Sequence, residues 1–370
     1  MFSMRPNAIV LAILAIATLS CGGGGAGSGS GPGSTGSPTG SWQKVNVPPG
    51  ATEVNFVAFN SSNHWFIADQ NQGFFRSTDQ GATWTQINSG LPTTLGWTIN
   101  VNPANGDLIA STYTGGALNA NPVEFFRSTD EGNSWRLIPS GHLSSVTALT
   151  GCVFAANTNI VCGGYWAPSP SSGAWVSSNG GLSTVGAMTT PPNANSDGVF
   201  SLGRNPVTQD LWLGTEQNGV FRSTDNGLTW TQESPSDQQI SDSDIYGITF
   251  DRNGNVLFAS QGGVWKSSKT NSGYTWANVL SNRNVSAGKG LTRDANGNLY
   301  YGHDQDPSNP TDVYLSTDNG NTWTAFDSGI PPGLQGRQFA VNPSDRKLYA
   351  VITDENTGSG WLYRTVNSVQ

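Results

Sequence analysis

The chain has 370 residues, of which 11% are charged and 47 are Gly, and it carries a formal net charge of -8. So little charge excludes a coiled coil or a charge-rich disordered chain. The acidic balance, with 17 Lys and Arg, leaves no basic footprint for nucleic acid and no polybasic patch for a membrane surface. From the N-terminus, 1–20 reads as an export signal: Arg5 supplies the positive region and Ala8–Leu19 an apolar run too short to span a bilayer comfortably.

The string Thr18-Leu19-Ser20-Cys21 follows. Small residues before a Cys at this place resemble the lipobox of bacterial lipoproteins, although Thr18 stands where Leu is usual. That resemblance implies lipidation of Cys21 and sorting to the outer membrane or cell surface, since Gly22 rather than Asp comes next. Ordinary signal cleavage beside an incidental Cys is the other reading. Lipid on one residue anchors a folded domain without a membrane helix. The segment 21–40 then runs almost wholly in Gly, Ser, Thr and Pro, a flexible tether unable to bury a core.

From residue 41 the sequence repeats itself. Four octads match S-x-D-x-G-x-x-W: Ser77–Trp84, Ser128–Trp135, Ser223–Trp230 and Ser316–Trp323. Two more are degraded, at Ser177–Gly181, with Asn for Asp and no Trp, and at Ser267–Trp276, with an insertion and no Asp. Asp accepts backbone N–H groups within a turn, Gly supplies positive φ, and the Trp packs between sheets. These octads resemble the Asp-box of the bacterial neuraminidase-type (BNR) repeat, in which Asp79, Asp130, Asp225 and Asp318 are structural. The period of about 45–50 residues is that of propeller blades.

Each unit reads as four strands. In the fourth they are Val199–Gly203, Leu211–Thr215, Gly219–Ser223 and Thr229–Gln232, with the octad between the last two. Turn signals such as Asn205-Pro206, Asn253-Gly254 and Asn342-Pro343 recur between the first two strands. Seven such units are expected, the last lacking its fourth strand. Ser41-Trp42-Gln43-Lys44-Val45 resembles the fourth strands elsewhere and is expected to complete it, closing the ring and removing sheet edges. The expectation is an all-β, single seven-bladed propeller of four-stranded antiparallel blades over 41–370. Cys152 and Cys162 lie symmetrically about Asn157, opposite each other across a hairpin. A disulfide is expected, two buried free thiols being the alternative; export permits the former.

In the family fold the first strand lines the axis, and the loops after the second strand share a face opposite the octads. Those loops depart most from the repeat. They place Asp69 and Gln70, Tyr113, Tyr165 and Trp166, Glu216 and Gln217, Gln261, His303 with Asp304 and Asp306, and Asp354 with Glu355 around one mouth. Aromatics for ring faces and amides or carboxylates for hydroxyl groups suit a glycan, and equally a protein loop. His303, Asp304 and Asp306 on one loop make too weak a donor set for a metal, so no metal and no cofactor is expected.

Several families share such repeats. Sialidases need clustered Arg and an Arg-Ile-Pro signature. Here the nearest string, Arg136-Leu137-Ile138-Pro139, falls on an outer strand. Xyloglucanases use two Asp in a cleft between two propellers. The matching positions here are Glu216 and Gln70, with Asp69 adjacent, which makes Glu216 and Asp69 the catalytic candidates. The sortilin ectodomain and photosystem II assembly factors resemble this repeat too, and bind partners without catalysis. The sequence reading is therefore an exported, lipid-anchored monomer whose propeller binds a glycan or an envelope protein, touching membrane only through its lipid. A glycoside hydrolase, xyloglucanase-like or sialidase-like, is the alternative.

Overall fold

In the computed structural model, residues 41–112, 124–139, 148–165, 173–181, 198–216, 218–234, 244–260, 262–281, 290–303, 313–354 and 356–369 are described. The chain divides into Met1–Ser37 and Pro38–Gln370, and the described strands lie in the second unit. Residues 1–40, read above as an export signal, Cys21 and a tether, fall outside the described residues.

Strands of apolar and β-branched residues, broken by turns of Asn, Asp, Pro and Gly, form seven antiparallel sheets. In chain order, the first strands of blades one to six start at Val54, Gly96, Ala148, Val199, Ile245 and Gly290, and blade seven starts at Gln335. These seven strands neighbour one another in sequence order, and that of blade seven meets that of blade one. They form the inner ring of a seven-bladed propeller. Six blades are four-stranded; blade three shows three strands among the described residues.

Second strands such as Trp65–Asp69, Leu108–Thr112, Leu211–Thr215 and Val256–Ser260 are buried at every position, because neighbouring blades cover both faces. Outer strands such as Thr85–Gln86 and Thr231–Gln232 are two exposed residues long. The core is a set of wedges between blades. Val54, Val57, Trp65 and Ile67 of blade one, for example, pack on Tyr349, Val351 and Leu362 of blade seven.

Strand β1, Trp42–Lys44, pairs with the last strand, β27, Ser359–Thr365, with Trp42 opposite Thr365. The N-terminal strand therefore completes blade seven. Its Trp42 indole donates to the Phe326 carbonyl (2.6 Å) at the end of blade six's outer strand. Trp84, Trp135 and Trp276 make the corresponding bond to Asn46, Ile87 and Glu233 of the preceding blade. Trp42 thus does for blade seven what the octad Trp does elsewhere.

In the first octad Ser77 Oγ donates to Asp79 Oδ1 (2.8 Å), which also accepts the Thr83 backbone N–H (2.8 Å), while the Gly81 N–H bonds Ser77 Oγ (2.8 Å). Gly81 has φ +84°, and a Cβ there would meet the Trp65 ring at 2.8 Å, so the turn needs glycine twice over. In blade three Asn179 takes the Ser177 hydroxyl in the same way (2.9 Å). Blade five departs: its Gly263–Thr270 and Gly273–Ser281 strands form one long hairpin where blades one, two, four and six carry an octad and a two-residue strand. Cys152 stands opposite Cys162 and the two are joined by a disulfide.

Candidate functional site

The face opposite the octads is where the second strands end and the inner strands begin. Asp69 lies at the end of Trp65–Asp69, opposite Val54. It is fully buried. Its Oδ1 accepts the N–H groups of Asn71 (3.0 Å) and Gln72 (2.9 Å), and its Oδ2 that of Glu53 (2.9 Å). The carboxylate that the sequence offers for chemistry is therefore consumed in folding its own loop. Three backbone donors hold the buried carboxylate in that turn. Asp354 anchors the equivalent loop of blade seven, accepting from the Asn356 N–H (2.9 Å) and the Thr357 hydroxyl (3.0 Å).

His303 is likewise fully buried, its ring 6.3 Å from that of Tyr301 and 6.2 Å from that of Tyr314. It packs inside blade six instead of standing at the rim. Among the described residues no group of three His, Cys, Asp or Glu side chains is arranged to hold a metal. Gln70 is half-buried at the mouth and accepts from Asn55 Nδ2 (3.4 Å). Glu216 is half-buried on blade four, its backbone N–H bonded to the Gly198 carbonyl (2.9 Å). It stands three blades along the ring from Asp69 on blade one. Tyr113, Trp166, Gln217, Gln261, Asp304, Asp306 and Glu355 lie outside the described residues, as does the side chain of Tyr165.

The structure adds a set of residues that the loops did not suggest. In six blades the ladder between the first two strands slips by one residue at the very start of the inner strand. Among the residues whose side chains are described, the extra ones are Asn55, Trp97, Phe200, Tyr246 and Arg337. A bulge leaves one residue unpaired and re-aims its side chain. Repeated around the ring, it puts these residues at the axial mouth. Arg337 of blade seven lies over the Trp97 ring of blade two, 5.3 Å from its centroid. Blade one stands between them, so this cation–π contact reaches across the inner ring. On the other side Phe200 and Tyr246 stack at 4.9 Å and 30°, and the Tyr246 hydroxyl donates to Asp244 Oδ2 (2.5 Å).

Glu53 immediately precedes the blade-one bulge. Its segment is fixed by the Asp69 bond to its N–H and by a bridge to Gly360 of blade seven. Burial pushes the Glu53 carboxyl up, against the pull of the Arg337 guanidinium and of Asn71, with Asp69 adding to the rise. Asn55 is 5% exposed, and its Oδ1 meets no donor in the structure. The mouth therefore holds a cation on a Trp face, a carboxyl pushed up by burial, a buried amide acceptor and a second aromatic pair. The sequence does carry a signal for it. One column of the aligned units runs Asn, Trp, Thr, Phe, Tyr, Arg between residues that change little in character.

No family profile matches this chain. By sequence it is similar to a xyloglucanase of Paenibacillus, 26% identical over 241 residues, which is 52% of this chain and 22% of that enzyme. The chain thus spans about a fifth of the length of the relative it matches. By fold it is similar to the Niastella koreensis GH74 enzyme, with a TM-score of 0.63 at 19% identity over 87% of this chain and 53% of that one. It is also similar to YCF48 from Cyanidioschyzon merolae, with a TM-score of 0.60 at 14% identity over 88% of this chain and 98% of that one. YCF48 is also seen bound to a D1 peptide. At these identities the structural likeness speaks to fold.

Proposed function

We propose that this chain is an exported, lipid-anchored propeller that binds glycan at its axial mouth. The observation that carries the reading is the ring of bulge residues, with Trp97, Phe200 and Tyr246 among them, facing one opening. Half-buried aromatic rings offer flat apolar faces to pyranose C–H groups, and the amides beside them match hydroxyl groups. The xyloglucanase and GH74 likenesses support a saccharide over a peptide, and the Met1–Cys21 string supports export and lipid attachment at the cell envelope. Titration calorimetry of the chain against plant and bacterial polysaccharides tests this. We expect binding that Trp97→Ala and Phe200→Ala each weaken about tenfold or more, the loss of one stacking platform. Binding indifferent to both variants would place the ligand elsewhere, and absence of any saccharide binding would sink the reading.

One observation favours hydrolysis as a second reading: a carboxyl, Glu53, stands at the mouth, held by Asn71 Nδ2 (3.4 Å) and pushed up by burial. Mass spectrometry of the incubated polysaccharides decides it. Cleavage abolished by Glu53→Gln would make the mouth a hydrolase site, whereas intact polysaccharides leave it a binding site.

A further inference from the structure

The outer edge of blade five departs from the other outer edges among the described residues. In blades one, two, four and six the outermost strand is two residues long, and the closing strand of blade seven is three. Such brevity guards a sheet edge against pairing with another chain. In blade five the outermost strand, Gly273–Ser281, runs for nine residues, none of them buried. It contains no Lys, Arg, Asp, Glu or Pro, the residues that commonly guard a long edge. It pairs with Gly263–Thr270 on one side, and no strand meets its other side among the described residues.

The strand is held in place for pairing. Gly273–Asn278 stays in unbroken register with Trp265–Thr270, until a bulge at Val279 ends the regular stretch. Counted from the two-residue turn at Asn271-Ser272, the alternation of an antiparallel ladder turns the N–H and C=O groups of Tyr274, Trp276 and Asn278 outward. The Tyr274 and Trp276 side chains fix one face. Tyr274 packs edge-on against Trp212 of blade four at 5.2 Å, and the Trp276 indole donates to the Glu233 carbonyl (3.2 Å). Thr275 and Ala277, which alternate with them, are exposed.

The chemistry of this edge selects its partner. A row of outward backbone groups takes another strand. The 22–40 stretch of the same chain is rich in Gly, Ser and Pro, a composition poorly suited to a strand. A second copy meets the edge with no charge set opposite its like, because Gly273–Ser281 has none. The -8 on each copy lies outside this hairpin, whose charges are Lys266 and Lys269. Lys266 is committed to Asp251 Oδ2 (3.5 Å) and Asn321 Oδ1 (3.0 Å). Antiparallel pairing of a strand with its own copy about a two-fold axis is closed, so it stops at two chains. We propose that Gly273–Asn278 is a dimerisation edge, paired antiparallel with the same segment of a second copy so that two blades join in one continuous sheet. The monomer expected from the sequence gives way to a pair at this edge, whatever ligand the mouth takes.

Sedimentation velocity of the full chain in detergent tests this, beside Thr275→Lys with Ala277→Lys and, separately, Thr275→Glu with Ala277→Glu. Both positions are exposed, and melting curves check that each variant is folded. We expect the native chain to dimerise with a dissociation constant of about 0.1 mM or tighter. Each charged variant should dimerise at least about tenfold more weakly, like charges now lying across the strand pair. An equimolar mixture of the two variants should recover the dimer. A dimer made by a shared micelle or by another surface is indifferent to these charges, and that result overturns the proposal. A mixture that stays monomeric overturns it too, because the charges then act elsewhere than across the pair. So does a native chain that stays monomeric throughout that range, and hydrogen exchange then says why. Protected amides at Tyr274, Trp276 and Asn278 would mean that the edge is covered by its own chain, and freely exchanging ones that nothing pairs with it.

Discussion

Asp79 shows what one octad carboxylate contributes. The Thr83 hydroxyl and N–H and the Ser77 hydroxyl all donate to it, and together they lower its carboxyl to about 2. In Asp130, Asp225 and Asp318 burial works upward, but the equivalent hydrogen bonds outweigh it and the carboxyls are again lowered. A carboxyl lower in the folded chain than in the unfolded one stabilises the fold above its unfolded pKa. That stabilisation disappears as pH falls through the folded value. The octads therefore place an acid limb between roughly pH 4 and pH 2. Asn179 already fills the Asp position in blade three, so amide there is compatible with the turn. We expect Asp79→Asn combined with Asp225→Asn to fold, and its melting temperature to fall less steeply across that interval than the native chain's. Melting curves followed by circular dichroism from pH 2 to 7 check this. Parallel slopes would mean that other carboxylates set the limb.

At the scale of the element, the disulfide and the bulges differ in what each asks of a reader. Cys152 and Cys162 are placed by counting outward from Asn157 along two strands of a regular hairpin, and they do face each other. The link closes a short loop that the ladder already holds, so its contribution is on the order of 2 kcal/mol. We expect reduction, or Cys152→Ser with Cys162→Ser, to lower the melting temperature by a few degrees with the fold retained, and iodoacetamide to alkylate Cys152 and Cys162 only after reduction. Unchanged melting would mean that the hairpin needs no clasp. The blade count, the strand order and the closing strand were legible in the same way, since apolar runs, turn dipeptides and octads are local signals. The hairpin of blade five was not. Ser267 and Trp276 kept the ends of an octad while Lys269–Gly273 turned its middle into strand and tip. The mouth was less legible still. A bulge is a property of two strands in register, and in one strand it appears only as a break in alternation. The loops after the second strands drew attention by their polarity. Polarity alone cannot separate Asp69, which folds its own turn, from a group that meets a ligand.

The ring as a whole closes through three residues. The Trp42–Lys44 strand is covalently remote from the blade it completes, and its ladder to Ser359–Thr365 joins the two ends of the chain in one sheet. Trp42 concentrates that closure. It is 4% exposed, packs edge-on against Phe326 at 6.0 Å, and donates its indole N–H to the Phe326 carbonyl. Replacing a buried Trp by Ala typically removes about 3–5 kcal/mol. Trp135 is the proper control. It is 8% exposed and makes the same bond to blade one, but its strand is continuous with its own blade. The two substitutions should therefore lower global stability by comparable amounts and differ in how the chain opens. In Trp135→Ala the octad strand stays tethered at both ends, so unfolding remains one cooperative transition. In Trp42→Ala the closing strand can detach alone, exposing the long edge of Ser359–Thr365 and the Glu53–Gly360 bridge beside the mouth. We expect native-state proteolysis of Trp42→Ala to remove the N-terminal segment first, ahead of any cut within the blades. Any saccharide bound at the mouth should slow that first cut, because Glu53 and Gly360 bridge across the same seam. Equal cleavage patterns in the two variants would show that closure is spread over the inter-blade wedges and that the N-terminal strand is ornamental to it.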